Sequence, residues 1–176
     1  ILITGAYGML GSDLRDILSS HELIATGSKD LDITDCEKVL EFIKENSPDI
    51  VINAAAYTAV DDCETHFDEA YQVNAIGPRN LAIACSEIGA KLIHVSTDYV
   101  FGGTGTVPYR EWDICNPQSV YGASKYLGEQ YVREFCDKYF IVRTSWLYGY
   151  IGKNFVKTMV RLGRSRDSIS VVNDQR

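Results

Sequence analysis

The sequence has little positive charge and no long apolar run. Its 17 lysine and arginine residues face 24 aspartate and glutamate residues, for a formal net charge of −7 on 176 residues. Because a nucleic acid or an anionic membrane surface needs a basic face, the sequence predicts neither as a partner. No apolar stretch approaches the roughly 18 residues of a membrane span, and we expect no signal peptide.

The cysteines do not form a metal-site or disulfide pattern. They number five, at positions 36, 63, 85, 115 and 136, with no Cys-x-x-Cys pair and no metal-like Cys/His spacing. We therefore expect free thiols, a cytoplasmic location and no bound metal. The remaining composition, 45% hydrophobic and 23% charged, is typical of a folded globular domain.

Short apolar runs alternate with longer amphipathic stretches along the chain. This pattern predicts an α/β fold, with a doubly wound Rossmann-type parallel sheet and helices on both faces. The predicted strands cover 1–4, 23–26, 49–53, 91–96, 140–144 and 169–172. The predicted helices cover 9–18, 35–46, 68–88, 120–135 and 154–162. Thr34 is predicted to cap the second helix, with Glu37 completing a capping box. Residues 98–117 are predicted to form a long irregular loop, and such loops are usually functional.

Residues 1–176 are expected to form one Rossmann-type domain. The sequence opens directly on Ile-Leu-Ile without an initiator methionine, and it stops just after a predicted strand. We therefore expect a piece of a longer chain.

Three glycines stand where the first strand must turn into the first helix, in Ile3-Thr4-Gly5-Ala6-Tyr7-Gly8-Met9-Leu10-Gly11. Gly5 permits a tight turn, Gly8 lets the backbone approach a pyrophosphate, and Gly11 lets the helix pack closely on the strand. The helix N-terminus then offers N–H groups to phosphate oxygens. In this strand–turn–helix context the motif predicts a dinucleotide site; a glycine-rich turn without a ligand is the alternative.

The residues after the second strand bear on which dinucleotide binds. An NAD site usually has an acid at the strand tip to hold the ribose hydroxyls. Here the strand ends Thr26-Gly27-Ser28-Lys29, and acids follow only at Asp30 and Asp32. Ser28 and Lys29 can hold a 2′-phosphate, so the sequence favours NADP(H), with NAD(H) as the alternative cofactor.

A tyrosine and a lysine lie four residues apart in Tyr121-Gly122-Ala123-Ser124-Lys125, which puts them on one face of a helix. A phenol has a pKa of roughly 10, and a nearby ammonium is expected to lower it. Tyr121 can then give a proton to a carbonyl oxygen as hydride reaches the carbon, and Lys125 can also hold the nicotinamide ribose hydroxyls. A surface helix pair is the alternative explanation of this spacing.

The end of the fourth strand supplies a further candidate, in Val95-Ser96-Thr97-Asp98-Tyr99-Val100-Phe101. Ligands of open α/β sheets bind at the carboxyl ends of the strands. A Thr97 hydroxyl there can hydrogen-bond and polarise a substrate carbonyl, so Thr97 is the third predicted catalytic residue. Strand-end packing is the alternative for Ser96.

The glycine motif, Ser-Thr-Asp-Tyr-Val-Phe at 96–101 and Tyr-x-x-x-Lys together resemble the extended short-chain dehydrogenase/reductase superfamily. Within it, residues 53–61, 142–149 and 154–159 resemble the dTDP-4-dehydrorhamnose reductase family. This resemblance implies NADPH-dependent reduction of the C4 ketone of dTDP-6-deoxy-L-lyxo-4-hexulose to dTDP-L-rhamnose, for cell-surface polysaccharide biosynthesis. It implies that residues 1–176 form one NAD(P)-binding Rossmann domain that carries the catalytic Thr, Tyr and Lys and is truncated before a C-terminal substrate lobe. It also implies a nucleotide-sugar substrate and allows a homodimer.

The resemblance also assigns site residues. Thr97, Tyr121 and Lys125 fall on catalytic positions, and Trp146 falls on a residue that lines the sugar site. An indole offers a sugar ring a flat apolar platform with one N–H donor; core packing is the alternative. The predicted cofactor contacts are Gly5, Tyr7, Gly8, Met9, Leu10, Gly11, Ser28, Lys29, Asp32, Ile33, Ala54, Ala55, Ala56, Tyr57, Asn74, Ser96, Tyr121 and Lys125. The predicted substrate contacts are Thr97, Asp98, Tyr99 and Trp146.

Some features depart from the family or favour another function. Relatives often carry an acid at the position of Gly27, which leaves the use of both NADH and NADPH open. Asp13 falls on a metal-ligand position of some members, but the other ligands would lie beyond Arg176, so no metal is predicted. A nucleotide-sugar dehydratase or epimerase is a second candidate; dehydratases carry an Asp-Glu pair after the threonine, whereas Thr97 is followed by Asp-Tyr. A non-catalytic NADP-binding regulatory subunit, similar to the β subunit of methionine adenosyltransferase, is the third.

Overall fold

The computed structural model describes residues 1–171. Its strands are β1 (Leu2–Thr4), β2 (Ile24–Thr26), β3 (Ile50–Asn53), β4 (Lys91–Thr97) and β5 (Tyr139–Thr144). Its helices are α1 (Met9–Ile17), α2 (Cys36–Asn46), α3 (Val60–Cys63), α4 (Phe67–Tyr71), α5 (Gly77–Ile88), α6 (Val120–Phe135) and α7 (Phe155–Gly163). Within these residues no helix is long and apolar enough to cross a membrane, and no group of three or more His, Cys, Asp or Glu side chains could hold a metal ion.

The five strands pair in the order β2-β1-β3-β4-β5, and every pair is parallel. The chain passes from β1 outward to β2 and then returns to the other side of β1. In such sheets a crevice opens at the carboxyl ends of β1 and β3, where the winding changes direction. The predicted doubly wound fold is confirmed.

Alternate side chains of the strands enter two apolar cores. On one face, Leu2, Val51 and Leu92 pack against α2, α5 and α6. On the other face, Ile3 and Ile52 pack with residues of the first turn and of α1. Each fully buried aliphatic side chain contributes about 1.5–3 kcal/mol relative to exposure. Helices on both faces therefore hold the strand ends, and the site between them, in place.

The second helix begins one residue later than predicted. Its N-cap is Asp35, whose carboxylate accepts the backbone N–H of Lys38 at 3.2 Å. The Thr34 hydroxyl is used elsewhere, because it donates to Asp32 Oδ1 at 2.8 Å. The predicted Thr34–Glu37 capping box is therefore wrong, and a carboxylate takes the capping role that was assigned to the hydroxyl.

The long helix predicted over 68–88 is interrupted. Gln72–Ile76 form a π-helical turn between α4 and α5. The α6 helix lies directly against this turn, since a Cβ on Gly128 would overlap the carbonyl oxygen of Asn74. Single π turns inside α-helices occur frequently at functional sites.

The strand predicted over 169–172 is wrong for the residues that the structure describes. Residues 169–171 join no strand, and Val172 lies outside the described residues. A strand exists by pairing with another strand, and a run of apolar residues does not specify its partner. The other predicted elements agree with the structure to within one residue at each end.

Candidate active site

The glycine turn between β1 and α1 packs tightly against the segment that follows β3. Gly5 has φ +66°, a left-handed value, and a Cβ there would lie 2.6 Å from the backbone nitrogen of Ala55. A Cβ on Gly11 would lie 2.6 Å from Ala6 Cα and would overlap the Gly5 carbonyl oxygen. The fold itself therefore requires glycine at these two positions.

Gly8 faces a more open space at the start of α1. The one atom within 4 Å of a Cβ built there is the Gly5 carbonyl oxygen, at 3.3 Å. Gly8 is the N-cap of α1, and it provides no side-chain cap; the first turn, which includes Met9 and Leu10, has no acidic residue. The first N–H groups of α1 therefore need a partner and carry partial positive charge, which fits a pyrophosphate.

The tip of β2 carries a carboxylate that the sequence order does not reveal. Asp30 folds back so that its Oδ2 accepts the Gly27 N–H at 2.8 Å. The same oxygen lies 3.6 Å from where a Cβ of residue 27 would stand. Ser28 and Lys29 are exposed beside it. An acid that can accept from ribose hydroxyls is thus present at the tip, although residue 27 is glycine.

Tyr7 packs over the tip of β2, against Gly27. Its ring would lie 2.7 Å from a Cβ on Gly27, and its hydroxyl donates to the Ala25 carbonyl oxygen at 3.3 Å. The Arg15 guanidinium lies over this ring, 5.2 Å from its centroid. The sequence motifs pointed to Tyr7, placed Asp30 beyond the strand tip and gave no sign of Arg15; the Gly-x-x-Asp spacing of a polar turn was the available signal that Asp30 folds back.

The two residues predicted to contact adenine differ in placement. Asp32 is exposed, and its Oδ1 accepts the Thr34 N–H at 3.0 Å. Ile33 is buried in the main core, and its carbonyl oxygen accepts from Asn80 Nδ2 at 2.9 Å. The Ile33 side chain is thus committed to packing, and contact of either residue with a cofactor stays a prediction.

Asn74 holds the segment that follows β3. Its Oδ1 accepts the Tyr57 N–H at 2.9 Å, and its Nδ2 donates to the Tyr57 carbonyl oxygen at 3.0 Å and to Ser124 Oγ at 3.1 Å. Residues 54–57, predicted to line the cofactor, are half-buried. Because both polar atoms of Asn74 bind protein groups, the geometry gives Asn74 the role of positioning this segment.

Thr97 and Tyr121 come together at the end of β4. Thr97 Oγ1 donates to Asp98 Oδ1 at 3.1 Å and accepts the Tyr99 N–H at 3.2 Å. The Tyr99 ring meets the Tyr121 ring edge to face, with centroids 5.4 Å apart at 77°. The helix approaches this closely because a Cβ on Gly122 would overlap the Tyr99 carbonyl oxygen. The structure thus brings four predicted site residues into one cluster.

Burial raises the pKa of Tyr121 above its ordinary value, although the neighbouring Thr97 hydroxyl acts in the opposite direction. The expectation that Lys125 lowers this pKa is wrong, since Lys125 Nζ donates instead to the Val95 carbonyl oxygen at 2.7 Å. Tyr121 is therefore protonated at neutral pH, which is the form that a general acid needs.

Lys125 lies one helical turn after Tyr121 and is 2% exposed. Burial lowers its pKa to about 8, although the Glu129 carboxylate raises it. The side chain is therefore still mainly an ammonium at pH 7. A buried cation of this kind beside a protonated phenol is a perturbed pair typical of active sites.

His94 is a fully buried polar residue of β4 that no sequence motif singled out. Its Nδ1 bonds Asn53 Nδ2 at 3.1 Å, and its Nε2 has no partner among the described residues. Asn53 Oδ1 in turn accepts from the Thr4 hydroxyl at 2.7 Å and the Ala55 N–H at 3.1 Å. A polar residue within a buried strand was the available signal. The resulting chain of hydrogen bonds joins β1, β3 and β4 at the edge where the cofactor is expected.

Ser96 points into the core and not toward the crevice. Its hydroxyl donates to Glu129 Oε1 at 2.6 Å, and Arg143 and Arg133 bind the same carboxylate. Burial pushes the pKa of Glu129 upward, but hydrogen bonds from Arg143 and Ser96 outweigh it and hold the pKa below its ordinary value. This contact matches the strand-end packing alternative for Ser96, whose cofactor contact stays a prediction.

Trp146 follows β5. The residue is exposed, and its backbone conformation is unusual. Its φ is +54°, a left-handed value that is uncommon for residues other than glycine, and 53% of the residue is exposed. The indole meets the Phe155 ring edge to face, with centroids 5.1 Å apart at 85°. Core packing therefore does not explain this residue, and strained backbones of this kind cluster at functional sites.

Known proteins match this chain from end to end. The family model described as the RmlD substrate binding domain matches residues 1–176. The dTDP-4-dehydrorhamnose reductase of Streptomyces griseus is 48% identical over 177 residues, 99% of this chain and 58% of that protein. The spore coat polysaccharide biosynthesis protein SpsK of Bacillus subtilis (strain 168) is 45% identical over 177 residues, 99% of this chain and 62% of that protein.

One of the similar solved structures contains a bound cofactor. The crystal structure of dTDP-4-dehydrorhamnose reductase from Bacillus anthracis str. Ames in complex with NADP has a TM-score of 0.94 and 51% identity, and the match covers 97% of this chain and 61% of that chain. This chain thus spans 58% to 62% of the length of the three proteins. The resemblance inferred from the motifs is confirmed, and the chain belongs to the RmlD substrate binding domain family.

Proposed function

We propose that this chain is the dinucleotide-binding part of an NADPH-dependent reductase that converts the C4 ketone of dTDP-6-deoxy-L-lyxo-4-hexulose to dTDP-L-rhamnose, for cell-surface polysaccharide. The substrate lobe lies elsewhere in the whole protein, which is a cytoplasmic homodimer. One observation carries the proposal: the Thr97–Tyr121 cluster and the buried Lys125 ammonium lie at the carboxyl edge of the sheet. The names of the relatives support the substrate.

The chain's own residues supply the proton and hold the ketone. A bound nicotinamide supplies the hydride. Thr97 Oγ1 hydrogen-bonds the ketone oxygen and polarises it, and the protonated Tyr121 gives that oxygen its proton. Because burial raises the pKa of Tyr121, the phenolate left behind is a strong base that regains a proton readily. Lys125 provides the nearby positive charge and a donor for the ribose hydroxyls.

Two regions of the structure support the cofactor assignment: the first turn of α1 and the tip of β2. The unpartnered N–H groups of the first turn of α1, which follows Gly8, hold the pyrophosphate. Exposed Ser28 and Lys29, together with the NADP complex of the Bacillus anthracis relative, support NADP(H). The Asp30 carboxylate at the tip of β2 supports NAD(H) as a second cofactor, since it can accept from unphosphorylated ribose hydroxyls.

The test is turnover by the full-length protein, followed by nicotinamide absorbance with NADPH and the 4-keto sugar. Tyr121→Phe keeps the ring that packs on Tyr99 but removes the proton donor, so kcat should fall roughly 10²–10⁴-fold with unchanged NADPH affinity. Tyr131→Phe, on the same helix against Phe135, is the matched control. Loss of cofactor binding in Tyr121→Phe would make the residue a scaffold. Tight NADPH binding without oxidation in the wild type would favour the regulatory-subunit alternative.

A further inference from the structure

A buried carboxylate ties three elements together beside the candidate active site. Glu129 of α6 is 0% exposed, and it accepts from Arg143 Nε at 2.8 Å and from Arg143 Nη2 at 2.6 Å. Arg143 lies on β5 opposite Ser96 of β4, which also donates to Glu129. The carboxylate therefore fixes how β4, β5 and α6 sit relative to one another, one helical turn beyond Lys125.

The same arginine extends this network into the long loop. Its Cζ lies 4.9 Å from the centroid of the Phe101 ring. Phe101 stacks on Tyr109 with centroids 4.3 Å apart and an interplanar angle of 2°. Arg143 also donates to the Glu111 carbonyl oxygen at 3.3 Å and to Cys115 Sγ at 3.3 Å. The guanidinium thus contacts the loop at its start and at its end.

The loop over 101–116 is joined to the candidate active site at both ends. It leaves β4 just after Thr97 and Tyr99, and it returns to α6 shortly before Tyr121. Its ends meet where the Asn116 N–H donates to the Val100 carbonyl oxygen at 2.9 Å. Residues 103–112 are exposed. The stacking of Phe101 on Arg143 therefore links an exposed loop to the buried part of the protein.

Only an arginine can make these contacts with Glu129 and Phe101 together. A planar guanidinium can bind a carboxylate with two nitrogens and present its flat face to an aromatic ring at the same time, whereas a lysine ammonium cannot do both. Replacing a buried ion pair with apolar residues is often neutral or stabilising, so stability alone does not account for this pair. The contacts of Arg143 with Glu129 and Phe101 can instead fix the position of the loop relative to β5 and α6.

We propose that Arg143 is a positioning residue that, held by Glu129, fixes the loop over 101–116 through Phe101 and so shapes the substrate end of the site. The role in turnover rests on the proposed reductase function. The position of the loop does not, because it can be measured without substrate.

The experiment compares four variants of the full-length protein, one of which is a matched control. Arg143→Lys keeps the charge and Phe101→Leu keeps an apolar side chain, but each removes the stacking. Each should raise KM for the keto sugar about tenfold, consistent with the loss of a partly desolvated cation–π contact, while NADPH affinity stays within about twofold. Phe101→Tyr retains the aromatic face and should behave as the wild type.

Arg133→Lys is the matched control. Arg133 Nη2 bonds the same Glu129 oxygen at 3.0 Å, and it makes no hydrogen bond to the loop among the described residues. It should leave KM unchanged. Limited proteolysis gives a second readout, since cleavage within 101–116 should be faster in Arg143→Lys and Phe101→Leu than in the control.

Two results would overturn the proposal. One is an unchanged KM with activity lost only in proportion to the unfolded fraction, which would make Arg143 purely structural. The other is equal loop cleavage in all variants. If Arg143→Lys does not fold, Phe101→Leu answers the question alone. A wild-type protein that binds NADPH but does not turn over would refute the reductase, and loop cleavage would still decide the positioning role.

Discussion

His94 should make the stability of this protein depend on pH in a specific range. The imidazole is fully buried, and burial together with the charge of Lys125 holds its pKa well below the usual value. In the unfolded chain the pKa of histidine is roughly 6.5. Below that pH the unfolded chain therefore binds a proton that the folded chain does not. The contribution of His94 to stability is complete above about pH 6.5 and is lost as the pH falls below it.

The size of the effect follows from proton linkage. One proton of difference changes the free energy of unfolding by at most about 1.4 kcal/mol per pH unit. Relative to neutral pH, the loss reaches about 1.4 kcal/mol at pH 5.5 and about 2.7 kcal/mol at pH 4.5, as long as the pH stays above the folded pKa. Against a typical total of about 5–15 kcal/mol, this is readily measured.

The assay is urea unfolding of the wild type and His94→Asn from pH 7.5 to 4.5. An asparagine oxygen can still accept from Asn53 Nδ2, but it does not titrate. The variant should be less stable at neutral pH, and its deficit should shrink by about 1.4 kcal/mol on going to pH 5.5. His21→Asn, which removes an exposed imidazole, is the matched control. Parallel pH curves for the wild type and His94→Asn would refute the reasoning.

Three other measurements test the site and the fold. Turnover by the full-length protein should decline as the pH rises through about 8, the value to which burial lowers the pKa of Lys125, because the ammonium is lost; a flat profile to pH 9 would contradict this. Asp30→Asn removes the carboxylate from the tip of β2, so the ratio of kcat/KM for NADPH to that for NADH should rise roughly tenfold; an unchanged ratio would exclude Asp30 from cofactor choice. Gly11→Ala should lower the free energy of unfolding by about 1–3 kcal/mol, since its Cβ would overlap the Gly5 carbonyl oxygen. Gly163→Ala, where an added Cβ meets nothing within 4 Å, is the control for the same urea experiment, and equal stability of the two variants would contradict the packing argument.

Local patterns predicted most of the elements in this chain. Apolar alternation and helical periodicity depend on neighbouring residues, so β1 to β5 and most helices were placed to within one residue. The exceptions arise where two neighbouring side chains compete for one role or where a distant element packs against a helix. The capping role passed from Thr34 to Asp35 because Asp32 already binds the Thr34 hydroxyl. The helix over 68–88 contains a π turn where α6 presses against it at Gly128.

The sequence by itself determined the glycine turn, the parallel α/β order and the identity of Thr97, Tyr121 and Lys125 as candidates, because these depend on residue type at short spacing. Only the tertiary structure decided the environment of each group. It directed the Lys125 ammonium to the Val95 carbonyl oxygen. It also buried Tyr121, which raises the pKa of that residue. It also joined Glu129 to Arg143, 14 residues apart in the chain. Burial, charge and hydrogen-bond partners are set by residues far away in sequence, and chain spacing alone does not encode them.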